Sequence, residues 1–316
     1  MLSRTADSLF WLGRYSERAG NVARGLGATL RMALLAEPAD GAEREWRALM
    51  VAAGCEHGFR ERHEAAAHEA AIHWLTLDPA NPSGIAASVE SARRNARSVR
   101  TALTVDMWEA INDTWLEFRR LDSGAIKGDR LPGFLDWVKS RTLLFNGAAA
   151  DTMLRDDAWR FTQLGTILER ADNTARLLDS RHGAFAPDVS ADAACYAHWQ
   201  AVLRSVGALR AYQHVYHARL DPRRVAELLL MRTELPRSLL SCYARVERTL
   251  QTIANANGGN PGECQRLAGA LHAKLRFGRL DSILDGGLHG FLTGIIDENI
   301  TLGQEIAARY LNGKNA

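Results

Sequence analysis

Residues 12–26 read LGRYSERAGNVARGL and residues 164–178 read LGTILERADNTARLL, so one fifteen-residue stretch occurs twice, 152 positions apart. Nine of the fifteen positions are identical: the opening Leu-Gly, Glu-Arg-Ala, the Asn, Ala-Arg and the closing Leu. At about 100° per residue the stretch forms a helix with two distinct stripes. Leu12, Ser16, Ala19, Ala23 and Leu26 make a narrow, mostly small stripe, repeated as Leu164, Leu168, Ala171, Ala175 and Leu178. Gly13, Glu17, Asn21 and Arg24 make a second stripe, repeated as Gly165, Glu169, Asn173 and Arg176.

The polar stripe has a structural reading and a functional one. Glu17 to Asn21 is an i,i+4 pair and Asn21 to Arg24 an i,i+3 pair, so a hydrogen-bond chain along one helix is expected. Buried, such a network fixes helix register at a desolvation cost. The functional reading makes Glu17 and Glu169 candidate catalytic carboxylates, with Arg18, Asn21, Arg24, Arg170, Asn173 and Arg176 as candidate binding residues. A general base at neutral pH requires one carboxylate with a pKa raised by burial or by its twin. The two motif helices are expected to pack through Ala19/Ala23 and Ala171/Ala175, with both polar stripes facing a shared cleft.

Weaker echoes follow in the same order. Trp46 matches Trp199, Pro82 matches Pro236, Arg120-Leu121-Asp122-Ser123 matches Arg279-Leu280-Asp281-Ser282, and Gly133-Phe134-Leu135 matches Gly290-Phe291-Leu292. The expected architecture is an all-α helical bundle built from two duplicated halves, residues 1–154 and 155–316, packed as one compact unit. Period-2 runs and Asn-Gly hairpin signals are absent. Helices are expected from Ser3 or Thr5 to Glu37, Glu43 to Leu75, Ile85 to Leu103 (with Ser83 as cap), Val105 to Arg119, and Pro132 to Met153. In the second half they are expected over 157–182, 191–218, 222–231, 237–256, 263–276 and 280–311.

Two further groups carry chemistry-bearing residues. His57, His63, His68 and His73 alternate with glutamates, but Glu64/His68 and Glu69/His73 are ordinary i,i+4 pairs, and His63-Glu64 to His68 is one residue too long for a zinc helix. They read as a solvated face, and no metal is expected. Arg93, Arg97 and Arg100 form a row beside the apolar stripe Ile85, Val89, Ala92, Ala96, Val99 and Leu103. That row is either a solvated face or a site for an acidic partner or an anionic ligand.

The formal charge of +2 on 316 residues gives no footprint for nucleic acid. Four cysteines without CxxC spacing read as incidental thiols in a reducing compartment. Signal-peptide patterning and long apolar runs are absent, so a cytoplasmic protein with no membrane span is expected. The Asp285-Gly286-Gly287-Leu288-His289-Gly290 stretch lacks nucleotide-loop spacing, and there is no Walker sequence or Gly-x-Ser-x-Gly elbow. No cofactor is expected on this chain.

The N-terminal MLSRTADSLFWLGRYSERAGNVAR and the recurring LGxxxERAxNxAR resemble the bacterial alpha-E family, helical proteins with a Glu-Arg motif. The resemblance extends through ANPSGIAASVESARRNARSVR (80–100), Trp108-Glu109-Ala110-Ile111-Asn112 and ARLDPRRVAELLLMRTELPRSLLSC (218–242). Members are typically encoded beside an ATP-grasp-type, amide-forming ligase and a transglutaminase-like protease. The resemblance implies a helical accessory or co-catalytic subunit of an ATP-dependent peptide-modifying system, with that ligase and a peptide substrate as partners. It transfers no catalytic residues. A stand-alone enzyme with a Glu/Arg pocket between the halves, and a purely structural adaptor, remain the alternatives.

Overall fold

The computed structural model describes residues 3–33, 40–63, 68–181 and 193–311. Every regular element among these residues is helical. The first half runs α1 (Ser3–Ala33), α2 (Asp40–Ala52), α3 (Glu56–Arg60), α4 (His68–Thr76), α5 (Ile85–Ser98), α6 (Val105–Phe118) and α7 (Leu131–Thr152). The second half runs α8 (Asp157–Asp179), α9 (Ala193–Ser205), α10 (Leu209–Tyr216), α11 (Pro222–Met231) and α12 (Leu239–Ala256). It closes with α13 (Glu263–Arg276), α14 (Leu280–Asp285) and α15 (Leu288–Ile306), which ends in a π turn over Ala307–Leu311.

Local chemistry sets these bounds. The Asp156 carboxylate accepts from the Ala158 and Trp159 amides (2.9 and 3.2 Å) and starts α8. Thr104, Asp221 and Ser238 cap α6, α11 and α12 with their side chains. The expected Ser83 cap is replaced by Gly84, and buried Asn81 organises the turn by donating to Trp74 O and accepting from Ser83 N.

Three long helices expected from the sequence are divided. The span from Glu43 to Leu75 breaks after Ala52, and the span 191–218 breaks after Ser205. Each break carries a left-handed glycine, Gly54 (φ 66°) and Gly207 (φ 69°). Glycine adopts that backbone without the Cβ penalty other residues meet, and the chain turns there. The span 280–311 breaks at Gly286–Gly287. The end of α1 past Ala33, Glu64 in the histidine group, and the tail from 312 lie outside the described residues.

Apolar side chains collect in two clusters. The smaller contains Ala19, Val22, Ala23 and Leu26 of α1 with Trp46, Trp74, Val89, Phe134 and Val138. The larger contains Leu9, Phe10 and Leu12 of α1 and Leu164, Leu168, Ala171 and Ala175 of α8, together with α9–α15 and parts of α5–α7. Helix α1 therefore runs through both cores. Its packing against α8, α5 and α7 makes it the central strut. Among the described residues no helix is long and apolar enough to cross a membrane.

Candidate functional site

The two copies of the repeated stretch meet where α1 crosses α8. A Cβ on Gly13 would lie 2.2 Å from Thr162 O, and one on Gly165 would lie 1.9 Å from Phe10 O. The two backbones touch at a spacing that only glycine permits. This differs from the expected packing through alanines. Ala19/Ala23 and Ala171/Ala175 are buried in separate apolar clusters, because other helices compete for the small stripes and the glycines take the crossing.

Close approach of the backbones lets the Glu-Arg pairs exchange partners. Glu169 accepts from Arg18 Nε at 2.5 Å and Nη2 at 3.1 Å, and from Arg14 Nε at 2.8 Å. Glu17 accepts from Arg170 Nη2 at 3.0 Å, and pairs with Arg237 Nη2 at 2.6 Å and Arg24 Nη2 at 3.5 Å. The arginine of each Glu-Arg pair thus holds the glutamate of the other. Asn21 Oδ1 accepts from Arg24 and Arg237 (2.7 and 3.1 Å), tying the inner cage together. Thr174 Oγ1 bonds Arg237 O at 3.0 Å and so fixes the loop that delivers that arginine.

The cages differ in depth. Glu17 is fully buried, whereas Glu169 lines a cavity of about 290 Å³ with Arg14, Arg18, Asn21, Asn173 and Arg176. Arg176 bonds Asp172 Oδ2 at 2.7 Å on its own helix, so it does not repeat the contact of Arg24. Trp11 and Tyr15, stacked on each other, carry Arg14 and Arg18 over their rings and preset both guanidinium groups.

Burial alone would raise both carboxyl pKa values, but the arginines win. Arg237, Arg170 and Arg24 hold Glu17 well below the carboxylate range. Arg14 and Arg18 bring Glu169 down to about 2. Arg24 is driven the other way: burial and the neighbouring Arg237 and Arg170 weaken its hold on its proton, and Glu17 offsets only part of this. A general base working near neutral pH needs a carboxyl pKa shifted upwards. Neither glutamate is in that state, since each is an ionised counterion inside an arginine cage.

The arginine row lies elsewhere, on the face shared by α5 and α6. Arg93 sits between the Trp108 and Trp115 rings, 4.8 and 4.9 Å from their centroids, and its Nε donates to Asn112 Oδ1 at 2.9 Å. Arg100 stacks on Trp108 at 4.9 Å, and Arg119 on the Trp115 ring at the same distance. Arg97 and Arg100 are exposed, while Arg93 is half-buried. Arg93 and Arg100 of the row therefore belong to an Arg–Trp ladder with Arg119, separate from the Glu-Arg cages, and Arg97 lies exposed between them in sequence.

Sequence reading missed Arg14, Arg237 and Asp172. Arg14 sits three residues before Glu17, where helical spacing could have flagged it. Arg237 follows the Pro236 echo but has Ser83 as its counterpart, so the repeat gave no signal. The histidines scatter: His63 stacks on Phe59, His68 meets Trp46 edge-on, and His57 and His73 face Glu61 and Asp78. Burial pushes the Cys55, Cys242 and Cys264 thiols up to about 11, away from nucleophilic thiolate chemistry.

An all-helical chain whose central helices exchange Glu-Arg pairs across a glycine crossing is the class of protein defined here. The chain belongs to the Alpha-E family, described as an alpha-helical domain with a conserved ER motif, which it matches over residues 1–311. It is also similar to uncharacterized proteins of Mycobacterium bovis and Mycobacterium tuberculosis, 26% identical over 296 residues. The match covers 86% of this chain and 32% of theirs, so the chain spans about a third of the length of the curated relatives it matches. No solved structure matches.

Proposed function

We propose that this protein is a helical accessory subunit of an ATP-grasp-dependent, amide-forming system that modifies peptides, and that it contributes a docking scaffold. The observation that carries the accessory reading is the state of Glu17 and Glu169. Both are saturated by arginines, so the motif that a stand-alone enzyme would use as a base is spent on holding α1 to α8. The ligase partner and the peptide substrate rest on the family resemblance. The mycobacterial relatives support a module that works beside other parts, since they hold the matching segment within a much longer chain.

The same saturation favours a second reading, a purely structural adaptor. The exposed Arg97 and the exposed Arg100, stacked on Trp108, favour the docking reading over it, because they present positive charge without a carboxylate partner among the described residues. We further propose that the fold arose by duplication of a half spanning residues 1–154, in a soluble cytoplasmic protein. The crosswise Glu-Arg pairs, the matched glycine contacts and the left-handed Gly54 and Gly207 support that origin. The test is co-purification with the genomically adjacent ATP-grasp-type ligase. A stable complex, weakened by salt, is expected; the absence of any complex at micromolar concentrations would remove the reading.

A further inference from the structure

The cavity beside Glu169 is left with hydrogen-bond donors that the protein does not use. Glu169 engages Arg14 Nε and Arg18 Nε and Nη2, and Asp172 engages Arg176 Nε. The Nη groups of Arg14 and Arg176, and Nη1 of Arg18, have no hydrogen-bond partner among the described residues. Asn21 adds a buried donor. It is 5% exposed, its Nδ2 is unpartnered, and its Oδ1 is fixed by Arg24 and Arg237, neither of which lines the cavity. A buried donor without a partner costs free energy unless something accepts from it.

The geometry points to a binding site for a carboxylate carried by a small molecule of amino-acid to dipeptide size. Charge selects the ligand class. Arg14, Arg18 and Arg176 against Glu169 and Asp172 leave one net positive charge on the lining, which matches a monoanion better than a phosphate dianion. Planar guanidinium groups also match a carboxylate in two-point geometry. The volume of about 290 Å³ is at the small end for ligand sites. Val22, Leu49, Ala53 and Leu177 give apolar wall suited to short aliphatic side chains. Ile300 of α15, exposed at 44%, stands at the cavity and leaves it open to solvent. The inference is independent of docking, since it concerns the isolated chain.

Calorimetry on the purified full chain with the monoanion N-acetyl-L-alanyl-L-alanine, its neutral C-terminal amide and inorganic phosphate tests it. Saturable binding of the dipeptide is expected, with the amide weaker by about tenfold or more through loss of a charge-assisted hydrogen bond. Asn21→Asp keeps an oxygen for Arg24 and Arg237 but sets a second oxygen where Nδ2 was, and should weaken the dipeptide by at least the same factor. Should that variant fail to fold, the acid–amide comparison on the unaltered chain decides. Equal binding of acid and amide, tighter binding of phosphate, or no dipeptide binding up to about 10 mM would each overturn the proposal.

Discussion

Replacing Glu17 with Gln keeps the side-chain shape and removes one fully buried charge. Glu17 is fully buried and faces Arg170, Arg237 and Arg24 at 3.0, 2.6 and 3.5 Å. Each pair at that range is worth about 5–6 kcal/mol at an effective dielectric of about 20 before desolvation is subtracted. The variant leaves three guanidinium groups around a neutral amide, half of which is itself a donor. Removing one member of a buried ionic group costs about 3–5 kcal/mol, and we expect Glu17→Gln to fall there. Urea unfolding followed by helix ellipticity at neutral pH measures it. The pH dependence gives a second readout. Glu17 has its folded pKa depressed from the ordinary glutamate value of 4.5, so its contribution is present above about pH 4.5 and is lost as pH falls towards the folded pKa. The gap between wild type and Glu17→Gln should therefore be widest at neutral pH and narrow in acid. A loss below about 1 kcal/mol, or a gap that does not change with pH, would refute the cage argument.

Glu169→Gln should cost less, about 1–3 kcal/mol, because Arg14 and Arg18 are 18% and 22% exposed and water can take up their charge; equal losses at the two sites would contradict the difference in depth. Gly165→Ala places a Cβ against Phe10 O and should destabilise by about 3 kcal/mol or more, measured by the same unfolding assay, whereas Gly147→Ala in open space should not. Reversing Arg97 and Arg100 to Glu should weaken ligase binding in a salt-dependent way while leaving the unfolding midpoint nearly unchanged, and Arg93→Glu should lose stability as well, since its guanidinium is packed between two indoles.

The helical class and the importance of residues 12–26 and 164–178 were legible because helical periodicity and an exact spacing survive in one dimension. Helix ends were legible where a cap is local: Asp156 and Pro222 mark α8 and α11 within a residue or so. The breaks at Gly54 and Gly207 were missed because an isolated glycine in an apolar-periodic run looks tolerable until its φ is known. The cages were half legible. The sequence supplied Glu17, Arg18, Glu169 and Arg170 as one kind of group, but same-helix spacing favoured Glu17–Asn21–Arg24 and concealed the exchange with α8. Arg237 entered only through the tertiary fold, from a loop 216 residues away from Asn21. Which of two small-residue stripes forms the crossing is likewise a competition among several helices, and only the assembled core decides it.

On the proposed reading this chain supports chemistry performed elsewhere, and reconstitution tests that most directly. The protein, an ATP-grasp-type ligase as the proposed partner, ATP and candidate peptides are combined, each is omitted in turn, and peptide mass is followed. A modified peptide is expected when all components are present, a reduced or absent product when this chain is left out, and none from this chain with ATP and peptide alone. Product formed by this chain without the ligase, and abolished by Glu169→Gln at nearly unchanged stability, would contradict it.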